Sequence, residues 1–124
     1  MAPDQGYFNI YEKGADYMKK AMISQRYSGR SKEEIMAERD EAVKKLESLG
    51  YEAVNVFFTD EWNKFEALKK YGEKKNVPLF FYSLRMEALS NCDAIYFCKG
   101  WEYDCNCKMD HEAALIYGIR VLYD

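Results

Sequence analysis

Short apolar runs alternate along this chain with longer segments of helical period, and that alternation limits the possible fold more than any other feature. Lys19 to Ser24 contains the unbroken run Ala21-Met22-Ile23 and reads as a buried strand. Behind it, Ser31-Lys32-Glu33-Glu34 has the form of a capping box, in which Ser31 caps a helix and Glu34 reaches back. Ile35, Ala42, Val43, Leu46 and Leu49 recur at helical spacing, and Gly50 ends the helix. Ala53 to Phe58 is rich in β-branched and aromatic residues and reads as a second strand. Trp62, Phe65, Leu68 and Tyr71 predict an amphipathic helix over 60–75, ending near Gly72. Pro78 breaks the chain, and Leu79 to Ser90 reads as a third helix with Leu84, Ala88 and Leu89 inward. Asp93 to Cys98 is a third strand, with Asp93 a structural strand-start residue. A long loop over Lys99 to Lys108, a short helix over Met109 to Tyr117, a stop at Gly118 and a last strand over Ile119 to Tyr123 complete the chain. Such a series specifies an α/β fold: a parallel sheet of about four strands with helices on both faces.

The 124 residues suffice for one domain. Residues 1–17 read as a leader or accessory arm, and 18–124 as the domain. With 48% hydrophobic and 31% charged residues, the chain has the composition of a folded globule. No apolar run approaches the ~20 residues that span a bilayer, and the N-terminal stretch has no signal-peptide core. The expectation is a cytoplasmic protein without a membrane partner. Eighteen basic against 21 acidic residues give a net charge of −3, which disfavours a nucleic-acid polymer as partner. The Lys-rich stretch 69–75 is interleaved with Glu73 and reads as a solvated face. Cys105-x-Cys107 beside His111 lacks the paired clusters of a zinc site, so Cys92, Cys98, Cys105 and Cys107 read as reduced thiols and no metal is expected.

In parallel sheets, ligands bind outside the carboxyl ends of the strands. Two loops fall there. Residues 24–31 carry Ser24, Arg26, Ser28, Gly29 and Arg30 ahead of a helix N-terminus, a composition suited to an anion. A plain strand-to-helix turn capped by Ser31 fits the same residues. Residues 98–112 concentrate Glu102, Asp104, Asp110 and Glu112 with Trp101, Tyr103 and the single histidine, His111. Asp110 is expected in the first helical turn, where the dipole keeps a carboxylate ionised. Paired carboxylates facing a sugar, with an anion site opposite, fit attack at an anomeric carbon. An acid in a first turn also fits ordinary helix stabilisation.

Three segments carry a resemblance: Met22-Ile23-Ser24-Gln25 with Gly29-Arg30-Ser31-Lys32-Glu33-Glu34-Ile35; Asp93-Ala94-Ile95-Tyr96-Phe97-Cys98-Lys99-Gly100-Trp101-Glu102; and Asp110-His111-Glu112 with Tyr117-Gly118-Ile119. Over about residues 18–124 the chain resembles small domains, frequent in bacteriophages and their hosts, related to nucleoside 2-deoxyribosyltransferases and 2′-deoxynucleoside 5′-phosphate N-hydrolases. The resemblance implies a flavodoxin-like, Rossmann-like three-layer sandwich that uses no cofactor, in a homodimer or larger homo-oligomer. Around the family's nucleophile the pattern is similar to Asp-x-Gly-x-x-x-Glu. Asp104 matches its first acid, Asn106 replaces its glycine, and Asp110 stands where the family has Glu. Asp110 would then be the nucleophile and Asp104 its assistant. Ser24, Arg26, Ser28, Gly29, Arg30, Trp101, Asn106 and His111 would bind substrate. Glu112 lies roughly 200° around a helix from Asp110 and is a poor substitute.

The expected function is N-glycosidic bond chemistry on a nucleoside or nucleotide, by an N-hydrolase or a deoxyribosyltransferase. The alternative is a nucleotide-binding or sequestering protein without turnover, which the two departures from the pattern favour. A structural oligomer subunit with a vestigial pocket is a third reading, in which the 16% aromatic content serves subunit contacts.

Overall fold

A computed structural model describes residues 18–54 and 72–124. The elements run β1 (Lys19–Ser24), α1 (Lys32–Ser48), β2 (Tyr51–Val54), α2 (Val77–Leu89), β3 (Ala94–Phe97), a 3-10 turn (Trp101–Tyr103), α3 (Cys105–Tyr117) and β4 (Arg120–Tyr123). The four strands form one parallel sheet in the order β2-β1-β3-β4.

Strand alternation sorts the core onto two faces. Ala21 and Ile23 of β1, with Ala94, Tyr96 and Cys98, pack against Ala42 and Leu46 of α1. Met22, Ile95 and Phe97 point the other way, onto Leu89 of α2 and Ala114 of α3. The result is a three-layer α/β sandwich of the flavodoxin-like, Rossmann-like kind.

The capping box forms as the sequence requires: Ser31 Oγ accepts from Glu34 N at 3.1 Å, and Ser31 N donates to the Glu34 carboxylate at 2.8 Å. Asp93 is structural, joining β3 to β1 by a two-way exchange with the Lys20 backbone, each bond 2.8 Å.

Several boundaries differ from expectation. Helix α2 begins at Val77 under an Asn76 cap, so Pro78 starts the helix and does not break the chain. Its ring sits in the first turn, where a missing N–H leaves no bond unmade. The buried stripe of α2 is Phe81, Arg85 and Leu89; Leu84 and Ala88 are only half-buried. Helix α3 begins at Cys105, four residues before the expected start, because Asp104 caps it: Asp104 Oδ1 accepts from Cys107 N at 3.0 Å. The expected long loop is thereby reduced to a glycine turn and one 3-10 turn. Leu49, expected inward, is 52% exposed beyond the end of α1. Strand β2 starts at Tyr51, not Ala53. The rest of the second strand expected to Phe58, residues 60–71 of the helix expected over 60–75, and the arm 1–17 lie outside the described residues. Residues 72–75, expected at that helix's end, form turns and bends.

Candidate functional site

The order β2-β1-β3-β4 reverses between β1 and β3. The chain leaves β1 toward α1 on one face and leaves β3 toward α3 on the other, so the carboxyl ends of these two strands form the switch point at which sheets of this kind bind ligands. Ser24 closes β1 there. Its carbonyl accepts from Cys98 N at 3.0 Å, continuing the ladder, and its side chain points to the α2–α3 face.

On that face Ser24 Oγ donates to Asp110 Oδ2 at 2.7 Å. Arg85 Nη2 of α2 pairs with the same oxygen. The Tyr82 phenol, one turn before Arg85, lies beside the carboxylate, and the Cys107 thiol sits against the Ser24 hydroxyl. Asp110 has no exposure and Arg85 has 6%. Asp110 is the sixth residue of α3, in its second turn, not in the first turn as expected. The helix dipole fades within the first turn, so the partners of this carboxylate are Arg85 and Ser24.

Burial pushes the Asp110 carboxyl above the usual carboxylate range, and the Arg85 charge and the Ser24 hydroxyl work against that rise. At Arg85, burial opposes the charge and Asp110 more than offsets it. A guanidinium does not deprotonate in proteins, so a neutral Asp110 would leave a buried cation unpaired. Burial also pushes Tyr82 up, with the Asp110 charge adding to it, and pushes the Cys107 and Cys98 thiols up to about 12. Two polar atoms of the cluster are buried with no hydrogen-bond partner among the described residues: Asp110 Oδ1 and Arg85 Nε.

The loop after β1 is arranged differently. Arg30 N donates to Tyr27 O at 3.1 Å, closing a turn with the exposed Ser28 and Gly29 at its tip. The Arg30 guanidinium pairs with Glu38 at 2.7 Å and donates to Arg26 O at 3.0 Å. Glu38 raises the Arg30 pKa and also accepts from Gln25 Nε2 at 2.9 Å. Glu34 already occupies the helix N-terminus through the capping box. The Arg26 side chain lies across Gly100, which has φ +86; a Cβ there would meet Arg26 Nε and stand 3.1 Å from its Cδ. Only glycine meets both demands.

Trp101 and His111 meet each other, their rings stacked at 4.2 Å and 25°. His111 Nε2 lies 2.7 Å from Tyr123 Oη, and Phe97 packs edge-on to His111 at 5.1 Å. Asp104 has one oxygen engaged in capping, and Asn106 is exposed on the first turn of α3.

Of the residues expected in the site, the fold brings Ser24 to Asp110 and Trp101 to His111. Arg30 is drawn to Glu38, and Ser28 and Gly29 point out at a turn. Sequence reasoning passed over Arg85 and Tyr82. A signal for Arg85 was present: a single cation inside the apolar run of α2, on the same stripe as Phe81 and Leu89.

Among the described residues, hollows lie elsewhere. One of about 360 Å³ is lined by residues including Glu38, Tyr96, Cys98 and Asp124. Another, of about 640 Å³, includes Met86, Leu89, Ala113 and Ile119. Asp110 lines neither. Among the described residues no His, Cys, Asp or Glu side chains group to hold a metal ion, and no helix is long and apolar enough to cross a membrane. No family model, no curated protein and no solved structure matches this chain.

Proposed function

We propose that this chain acts on the N-glycosidic bond of a nucleoside or nucleotide, with Asp110 as nucleophile. One Asp110 oxygen bonds to C1′, the C1′–N electron pair leaves with the base, and the base takes up a proton. Water or a second base then takes the sugar and frees the carboxylate. The free oxygen of Asp104 assists at the base. The observation that supports this reading is the placement of Asp110 at the β1–β3 switch point, held by Ser24 and Arg85. The resemblance to the deoxyribosyltransferase-related domains supports it too. The same reading makes the protein a cytoplasmic homodimer or larger homo-oligomer that needs no cofactor and takes a small-molecule substrate.

A second reading, nucleotide binding or sequestration without turnover, is favoured by one observation: Asp110 is wholly buried and tied to Arg85. A base-release assay over ribo- and deoxynucleosides and their 5′-monophosphates separates the two. The expected outcome is release of one base that Asp110→Ala abolishes. Release seen only in Asp110→Glu would support the binding reading, with the reach of the nucleophile lost. No release from any variant would sink the enzyme reading.

A further inference from the structure

We propose that the hollow between the C-terminal ends of α2 and α3 is the docking site of the chain's own N-terminal arm, which lays the run Tyr7-Phe8-Asn9-Ile10-Tyr11 into it. This concerns the edge of the sheet away from Asp110 and is independent of the catalytic reading.

Between parallel strands each helix returns the chain to the amino ends of the sheet. Helix α2 therefore ends beside the start of β3, and α3 ends beside the start of β4. The hollow, of about 640 Å³, lies between those two helix ends. Met86 and Leu89 of α2, Ala113 of α3 and Ile119 give it an apolar lining. Cys92 lines it just before β3, and Tyr117 lines it while 79% exposed. Apolar lining that meets water gains from being covered.

The position of the start of β1 selects the occupant. Strand β1 lies one strand from β3 and two from β4, spacings of about 5 and 10 Å. Asp93 is tied to Lys20 by two hydrogen bonds, and the Lys20 ammonium acts on the thiol of the next residue, Cys92. Met22 points to the α2–α3 face, so the two-residue period of the strand puts Lys20 and Met18 on that face as well. The arm thus joins the sheet at the lip of the hollow. From Met18 back to Tyr11 and to Tyr7 an extended chain reaches roughly 23 and 36 Å, and α3 is only roughly 20 Å long. Four of the five residues from Tyr7 to Tyr11 are apolar or aromatic. Asp4, Glu12 and Asp16 outweigh Lys13 in the arm, while Lys19, Lys20 and Arg120 are exposed at this edge of the sheet. Apolar run and charge therefore both match. Tethering gives the arm an effective concentration of about millimolar, an advantage that a second copy in dilute solution lacks.

The test uses the full chain carrying p-benzoylphenylalanine in place of Phe8, irradiated in dilute solution, with cross-links mapped by mass spectrometry. The expected product is a link within one chain, to the segment Met86–Cys92 or to Ala113–Ile119. Links between two chains would give the hollow to a second copy and overturn the assignment. Links only to residues away from the hollow, or no link at all, overturn it too. A second readout needs no probe. Burial pushes the Cys92 thiol up to about 11, so it alkylates slowly. With Tyr7→Ser, Phe8→Ser, Ile10→Ser and Tyr11→Ser combined, Cys92 should react with iodoacetamide about tenfold faster, because a covered thiol reacts only while its cover is off. Cys98, buried on the opposite face of the sheet, is the control. Equal Cys92 rates in the two chains, or an equal rise at Cys98, would count against the arm.

Discussion

The loop after β1 and the cluster around Asp110 lie at the same edge of the sheet, and they assemble their polar groups from different reaches of the chain. In the loop most polar groups close on neighbours a few residues away, although Gln25 Oε1 and Arg26 Nε stay buried without a partner among the described residues. Ser31 and Glu34 close on each other, Arg30 closes on Glu38, and Glu38 also takes Gln25. In the cluster, each side chain comes from a separate element: Ser24 from β1, Arg85 from α2, Asp110 from α3. The cluster too ends with a donor and an acceptor unmet, Arg85 Nε and Asp110 Oδ1. The regions therefore differ in sequence reach and in burial: the loop pairs residues close in the chain and partly exposed, and the cluster pairs distant residues that are sealed.

The contrast predicts unequal costs. Asp110→Ala leaves the Arg85 guanidinium buried and alone, and removing one partner of a buried pair costs about 3–5 kcal/mol. Glu38→Ala breaks a pair whose side chains are 15% and 23% exposed, so water takes over part of what Glu38 supplied. The expected loss there is about 1–2 kcal/mol. Denaturant unfolding of the two variants measures both. Equal losses would erase the distinction between a sealed ion pair and a partly exposed one.

The two regions also differed in how readily the sequence revealed them. The capping box, the strand at 19–24 and the stop at Gly118 are local features, set by residues within a few positions of one another, and the fold keeps them. Asp93 belongs with them as a strand-start residue. The Asp110 cluster joins residues 25 and 86 positions apart, and no spacing rule reaches that far. Arg85 was passed over because a cation within a helical segment normally faces water. Here the i, i+4 stripe of Phe81 and Leu89 carries it inward to a carboxylate. The early start of α3 was missed for a different reason. Asp104 caps it, but position 107 is Cys and supplies no reciprocal Glu or Gln, so half of the usual start signal is absent.

Where the loop after β1 meets the turn after β3, at Gly100, the expected effect is smaller. Gly100→Ala puts a Cβ on a left-handed residue, at about 1–2 kcal/mol, and also sets it against the Arg26 side chain. Arg26→Ala in the same chain removes the second cost and leaves the first. The double variant should therefore recover part of the loss, and the unfolding free energies of the four chains in the cycle measure that coupling. Strictly additive losses would mean that Arg26 moves aside freely and that the loop is not fixed against the turn after β3.

The smallest perturbation probes the cluster without changing a residue. Cys105 and Cys107 are two positions apart at the start of α3, one exposed and the other 1% exposed. Burial holds the Cys107 and Cys98 thiols protonated, with pKa values near 12, and the thiolate is the reacting form. Iodoacetamide at mildly alkaline pH should therefore label Cys105 first. Cys98 and Cys107 should stay unlabelled until denaturant is added, with mass spectrometry of the peptides as readout. Because Cys107 sits against Ser24, its rate reports how often the cluster opens. A Cys107 rate close to that of Cys105 in native buffer would show an Asp110 cluster that opens freely, and would remove the main ground for the reading without turnover.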